Sequence, residues 1–211
     1  IQMTKFISIV TVLLFCSFFT WAATDITSSQ VSGHWTVAGS PYIIHTDIIV
    51  GGTQTLIIDP GVDVAFAGNN NLTVLGKLYA VGTVAEPILF HMQDTTGWSD
   101  TTITAGGWRG IIFNWYNNAD TSHLDHCKIY DLKSGGISIN KTILMEHTEV
   151  YHSNYTGNQV NIHTDHGTTV ISGCDVHDIH TRGKIFTVSN MIGAGVKSPG
   201  VIIIENSAIH D

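Results

Sequence analysis

Four segments in the second half of the chain share one eight-residue pattern and align without gaps. They are Leu124-Asp-His-Cys-Lys-Ile-Tyr-Asp131, Met145-Glu-His-Thr-Glu-Val-Tyr-His152, Ile171-Ser-Gly-Cys-Asp-Val-His-Asp178 and Ile204-Glu-Asn-Ser-Ala-Ile-His-Asp211. The copies lie 21, 26 and 33 residues apart, so a fixed strand recurs while the connections change length, which is solenoid behaviour. Within each copy apolar and polar residues alternate at period two, the signature of a strand with one buried face. A small or polar residue (His126, His147, Gly173, Asn206) interrupts the alternation where the chain must bend. Gly136-Ile-Ser-Ile139, Gln159-Val-Asn-Ile162 and Lys184-Ile-Phe-Thr-Val188 supply further strands between the copies. A coil of about three short strands follows, each residue stacking on its equivalent one coil away at ~4.8 Å. Leu124, Met145, Ile171 and Ile204 should then form one inward column, and Ile129, Val150, Val176 and Ile209 a second.

The first half carries the same character. Thr55-Leu-Ile-Ile-Asp-Pro-Gly-Val-Asp-Val-Ala-Phe66 reads as two strands around a Pro-Gly turn, and Leu72-Thr-Val-Leu-Gly-Lys-Leu-Tyr-Ala80 as two more around Gly76. Pro87-Ile-Leu-Phe90 and Trp108-Arg-Gly-Ile-Ile-Phe113 continue the series. Phe66, Phe90 and Phe113 lie 24 and 23 residues apart and are expected to mark successive coils of one solenoid.

Ser40-Pro-Tyr-Ile43, Ile48-Ile-Val50, Thr55 to Val62, Leu72 to Thr83, Pro87 to Phe90 and Gly107-Trp-Arg-Gly-Ile111 together give a specific fold signature. This stretch resembles the bacterial right-handed parallel β-helix repeat proteins, related in fold to the pectin lyases. The resemblance covers nearly all of residues 34 to 211. It implies an all-β, right-handed parallel β-helix and a bacterial secreted or cell-surface setting. It says little of activity, because the group includes adhesins, binding proteins and enzymes.

Met3 and Lys5 precede an apolar run from Phe6 to Phe19, and small residues follow at Ala22 and Ala23, the layout of a cleaved signal peptide. The run is shorter than the ~20 residues needed to span a bilayer as a helix, so no stable membrane span is expected after cleavage. The expected organisation is a signal peptide at 1–23, a lead-in at 24–33 and the β-helix from 34 to 211. Asp211 falls inside the fourth copy of the motif with no capping element, so a downstream portion is expected. Nine Lys plus Arg against 17 Asp plus Glu leave a net charge of −8, which excludes a phosphate-neutralising surface and so a nucleic-acid partner. Cys127 and Cys174 occupy one repeat position two coils apart, on the order of 9.6 Å by strand spacing, beyond the ~7 Å limit for a disulfide. Two free, buried thiols are expected.

The enzymes of this fold use clustered carboxylates, with calcium and a basic arginine or as an acid and base pair. Asp165, Asp175 and Asp178 are weak candidates for a catalytic role, since no spacing forces two of them together, and solvated turn acids explain them better. His163-Thr-Asp-His-Gly167 does not match a polygalacturonase element. Twelve histidines raise the question of metal. Yet flat ladders seldom give converging ligands, and neither a metal site nor a cofactor is expected. The better ligand surface is a row at one repeat position, Tyr130, Tyr151, His177 and His210, whose rings would meet sugar faces while flanking Asp, Asn and His bond the hydroxyls. Trp98, in an inserted loop, should be freer to bind than Trp108, which should be core.

Three functions remain open on this basis. The first is a non-catalytic surface protein presenting an elongated face to polysaccharide or another cell-envelope glycan. The second is a polysaccharide lyase or glycoside hydrolase with part of its catalytic set outside this chain or in the Trp98 to Asn118 loop, and the third is a structural spacer.

Overall fold

The structure, a computed structural model, describes residues 22–116, 121–154, 160–163, 168–180, 186–189 and 201–210. The expected signal peptide lies outside these residues, apart from Ala22 and Ala23. Short strands follow one another in a fixed rotation. A first partial winding gives β1 (Thr24–Ile26) and β2 (Gly33–Trp35). Two triplets follow, β3 (Tyr42–Ile44), β4 (Ile48–Val50), β5 (Thr55–Ile58), then β6 (Asp63–Phe66), β7 (Leu72–Val74), β8 (Lys77–Val81). The next two are β9 (Ile88–Met92), β10 (Ile111–Asn114), β11 (Ser122–Asp125), then β12 (Cys127–Ile129), β13 (Ile137–Asn140), β14 (Ile143–Glu146). The series ends with β15 (Glu149–Val150), β16 (Val160–His163), β17 (Thr168–Ser172), then β18 (Asp175–Val176), β19 (Phe186–Ser189), β20 (Val201–Glu205) and finally β21 (Ala208–Ile209).

β1 pairs with β3 and from β2 onward every third strand pairs, all in parallel, giving an eight-stranded sheet β1-β3-β6-β9-β12-β15-β18-β21, a six-stranded sheet β4-β7-β10-β13-β16-β19 and a seven-stranded sheet β2-β5-β8-β11-β14-β17-β20. One chain winding through three parallel sheets in turn has the topology of a parallel β-helix. The winding starts earlier than residue 34, because β1 pairs with β3 and Gln30 bridges Ile49, so the lead-in already belongs to the first coil. Among the described residues no helix is long and apolar enough to cross a membrane.

The expected columns are in register. Leu124 pairs with Met145, Met145 with Ile171 and Ile171 with Ile204, and the column extends back through Ala80 and Ile58 to Trp35. Ile129, Val150, Val176 and Ile209 form the second, continued back through Phe90, Val64 and Tyr42. Both are buried until the last described coil, where Ile204 and Ile209 are exposed because no described coil stacks on them. The phenylalanine series does not mark successive coils. Phe90 pairs with Val64, Phe66 pairs with Met92, and Phe113 lies in the six-stranded sheet beside Val74 and Ile139. The near-equal spacing compares a full coil, from β6 to β9, with the single long connection from β9 to β10. Phe66 instead stacks on the fully buried Trp108, ring centroids 4.1 Å apart, and the Trp108 indole donates to the Tyr130 carbonyl at 2.7 Å.

Left-handed residues make the corners flanking the eight-stranded sheet from β12 onward. His126, His147, Gly173 and Asn206 enter it with φ of 47°, 41°, 62° and 49°, and Asp131, His152 and Asp178 leave it with φ of 60°, 49° and 50°. Asn, Asp, His and Gly are the residue types that tolerate this region, which is why the motif varies at these positions only among them. Next to the entry corner, Cys127, Thr148 and Cys174 are buried in one inward stack, and Thr148 Oγ1 accepts from the Cys127 amide at 3.4 Å. Both cysteines are free. Burial pushes both thiols up, Cys174 to about 11.

Two outcomes are expected. Ile129→Ala should cost ~2–5 kcal/mol in urea unfolding, whereas Ile209→Ala, half exposed at the last described coil, should cost less than ~1 kcal/mol. A thiol reagent should leave Cys127 and Cys174 unmodified in the folded protein and label both in denaturant, since only an exposed thiolate reacts.

Candidate functional site

Side chains alternate across the strands of the eight-stranded sheet, so Ile88, Phe90 and Met92 of β9 point inward and His91 outward. Four coils repeat that outward position with a ring. His91, Tyr130, Tyr151, His177 and His210 form one column with successive centroids 5.1, 4.9, 5.2 and 5.6 Å apart and planes within 11° of parallel. Parallel rings this close cannot lie side by side in one plane, so they are offset face to face. Each inner ring therefore has its faces covered by its neighbours, and what meets solvent is ring edges. That changes the expected mode of contact, because inner rings stacked on one another do not offer faces to a sugar. Burial pushes the Tyr130 phenol up to about 12 and the Tyr151 phenol up as well, helped by neighbouring negative charge, so both remain neutral hydroxyls at ordinary pH.

Pairs of a basic side chain with a carboxylate line both flanks of the column. On one side lie His91 Nε2 with Asp63 at 2.7 Å, Lys128 Nζ with Glu149 at 3.1 Å and His210 Nε2 with Asp175 at 3.2 Å. On the other, His152 Nδ1 meets the buried Asp131 at 2.5 Å, and Trp98 lies over His152 with centroids 3.8 Å apart and makes a T-shaped contact with His180. Trp98 is thus half-buried and stacked on a histidine, not the free ring its loop position suggested. The loop that carries it is pinned by Lys133, whose buried ammonium donates to the carbonyls of Gly97 at 2.6 Å and Ala105 at 2.7 Å. Asn154 Nδ2 donates to the Trp98 carbonyl at 2.9 Å.

Sequence reasoning missed His91, Lys133 and Asn154. His91 precedes the four aligned copies, and the ring stands one residue after Phe90, as Tyr130 stands after Ile129; aligning on the inward column would have found it. Nothing local marks a lysine as a loop clamp.

Asp175 and Asp178 do not converge. Asp175 points outward from β18 to His210, and Asp178 sits at a left-handed corner 3.7 Å from the His180 ring. Asp165 lies outside the described residues. Arg109 pairs with Asp47, and that hydrogen bond holds the Asp47 carboxyl below its usual range. Trp108 is core, as expected.

His91 gives the site a pH signature. Burial opposes its charging most, but the hydrogen bond and charge of Asp63, with the Met92 carbonyl and Asp131 behind, outweigh burial and raise its pKa. A raised imidazole pKa contributes stability that is full below the unfolded value of about 6.5 and fades as pH rises through the folded one. An NMR titration should place the His91 midpoint above about 6.5, and Asp63→Asn should bring it down. The stability difference between the parent and this variant should shrink as pH climbs past that midpoint.

No family model, no curated protein and no solved structure matches this chain.

Proposed function

We propose that this chain is a right-handed, pectin-lyase-like parallel β-helix of the bacterial secreted or cell-surface kind. Its role is to bind polysaccharide or another cell-envelope glycan along the outer face of the eight-stranded sheet, without catalysis. The observation that supports it is the ring column His91-Tyr130-Tyr151-His177-His210 running along the axis, flanked by carboxylates paired with histidine and lysine. Such a face offers phenol hydroxyls, imidazole edges and carboxylates at the spacing of the coils, a linear array of hydrogen-bonding groups suited to a linear, hydroxyl-rich chain. Trp98 and His152 border one flank and give the face a side wall. The separation of Asp175 from Asp178, each engaged by a different histidine, favours binding over acid and base catalysis.

Titration of the protein against a panel of neutral and acidic polysaccharides should find at least one ligand. Tyr151→Ala, which removes one hydroxyl and interrupts the stack, should weaken that ligand about ten-fold, equivalent to ~1.4 kcal/mol. Absence of binding across the panel would overturn the proposal. Release of unsaturated or reducing ends, lost on mutating Asp175 or Asp178, would replace it with the lyase or hydrolase alternative.

A further inference from the structure

The corner from the seven-stranded sheet into the eight-stranded one carries a second group of side chains, away from the ring column. Asp125 ends β11 and Glu146, its partner in register, ends β14. The next residues, His126 and His147, are the left-handed corner residues of adjacent coils, and their rings stack at 4.7 Å. Both imidazoles aim Nδ1 at the same atom. His126 Nδ1 lies 2.7 Å and His147 Nδ1 3.0 Å from Asp125 Oδ1. All three donor atoms fall within 4.8 Å of one another.

The two contacts differ in kind. His147 forms a hydrogen bond with Asp125. His126 Nδ1, at the shorter distance, is buried and has no hydrogen-bond partner, because the approach is too far off line. A neutral imidazole nitrogen and a carboxylate oxygen each offer a lone pair, and one cation set between them accepts both. A tetrahedral ion with bonds of ~2.0–2.1 Å holds its ligands ~3.3 Å apart, so room for one needs the His147 contact to open by ~0.3 Å and the His126 contact by ~0.6 Å.

The column is also bounded. The position above His147 is Gly173, where a Cβ would stand 2.9 Å from His147 Cδ2, and the position below His126 is Gly82, whose predecessor Val81 pairs with Asp125. At this corner, imidazoles of two adjacent coils are therefore flanked by glycine in the coil on either side. Behind them, His123 Nε2 bonds Glu146 Oε2 at 3.0 Å, and these two with Asp125 form an overlapping donor group. His126 and His147 also line a groove with Thr83, Pro87, Lys128 and Glu149.

We propose that Asp125, His126 and His147 bind one divalent ion of the zinc class, with water completing the coordination. Two imidazoles and a carboxylate suit borderline ions, whereas calcium and magnesium prefer all-oxygen sets. The proposal is independent of glycan binding.

The test is isothermal titration of the whole chain, stripped with chelator, with Zn2+ and separately with Ca2+, alongside the visible spectrum with Co2+. One equivalent of Zn2+ should bind at micromolar concentration or tighter, Co2+ should give the intense bands of a low-symmetry, four-coordinate site, and Ca2+ should not bind. His126→Asn and His147→Asn keep a residue that tolerates the left-handed corner, and Asp125→Asn keeps the side-chain shape. Each should weaken Zn2+ at least ~100-fold with an unchanged circular dichroism spectrum. His177→Asn should leave the affinity as it was. No Zn2+ binding by the parent protein, or binding that survives all three ligand substitutions, would overturn the assignment.

Discussion

Backbone hydrogen bonding along the axis is the constraint on which the rest of this molecule depends. Each strand is only two to five residues long and would not be stable alone. It is held because its amides and carbonyls are satisfied by the coil before and the coil after, always in parallel and always in register. Registration then makes columns out of repeat positions. The inward columns become the core, including Leu124-Met145-Ile171 and Ile129-Val150-Val176, and the outward one becomes the ring stack. No residue in these columns needs a contact distant in coil number, so loops of very different length, such as the one carrying Trp98, are accommodated between coils.

Much of this was legible in the sequence, for a physical reason. Inward columns are apolar and corners must adopt positive φ, so both leave a residue-type signature that repeats, and Ile129, Val150, Cys127, His126 and His147 were all placed by it. The phenylalanine spacing misled because it compared residues across a loop whose length the pattern does not record. Phe66 and Phe90 share a sheet but not a register position, and Phe113 belongs to another sheet. The site was less legible. That Tyr130, Tyr151, His177 and His210 share a face follows from period two, but that their rings cover one another depends on side-chain rotation, which a sequence pattern does not encode. The lodging of Trp98 on His152 and the Lys133 clamp depend on the path of an inserted loop, and no repeat constrains that path.

Histidine recurs here in one chemical relation. His34, His45, His91, His123, His126, His147, His152, His180 and His210 all lie within 4 Å of a carboxylate, and most of these partners belong to a neighbouring coil. In a chain with few lysines and arginines, imidazole takes over the cross-coil pairing that longer basic side chains would otherwise provide. The flat ring suits the task, because it spans one coil rise with little conformational entropy to lose.

The stacked rings also limit how the outer face can evolve. A column whose members screen each other behaves as a single polar ribbon, so exchanging tyrosine for histidine changes which proton donor meets solvent while leaving the shape of the ribbon intact. The chemistry displayed along the axis is thereby adjustable coil by coil, as letters are changed in a line of fixed type, without altering the scaffold underneath.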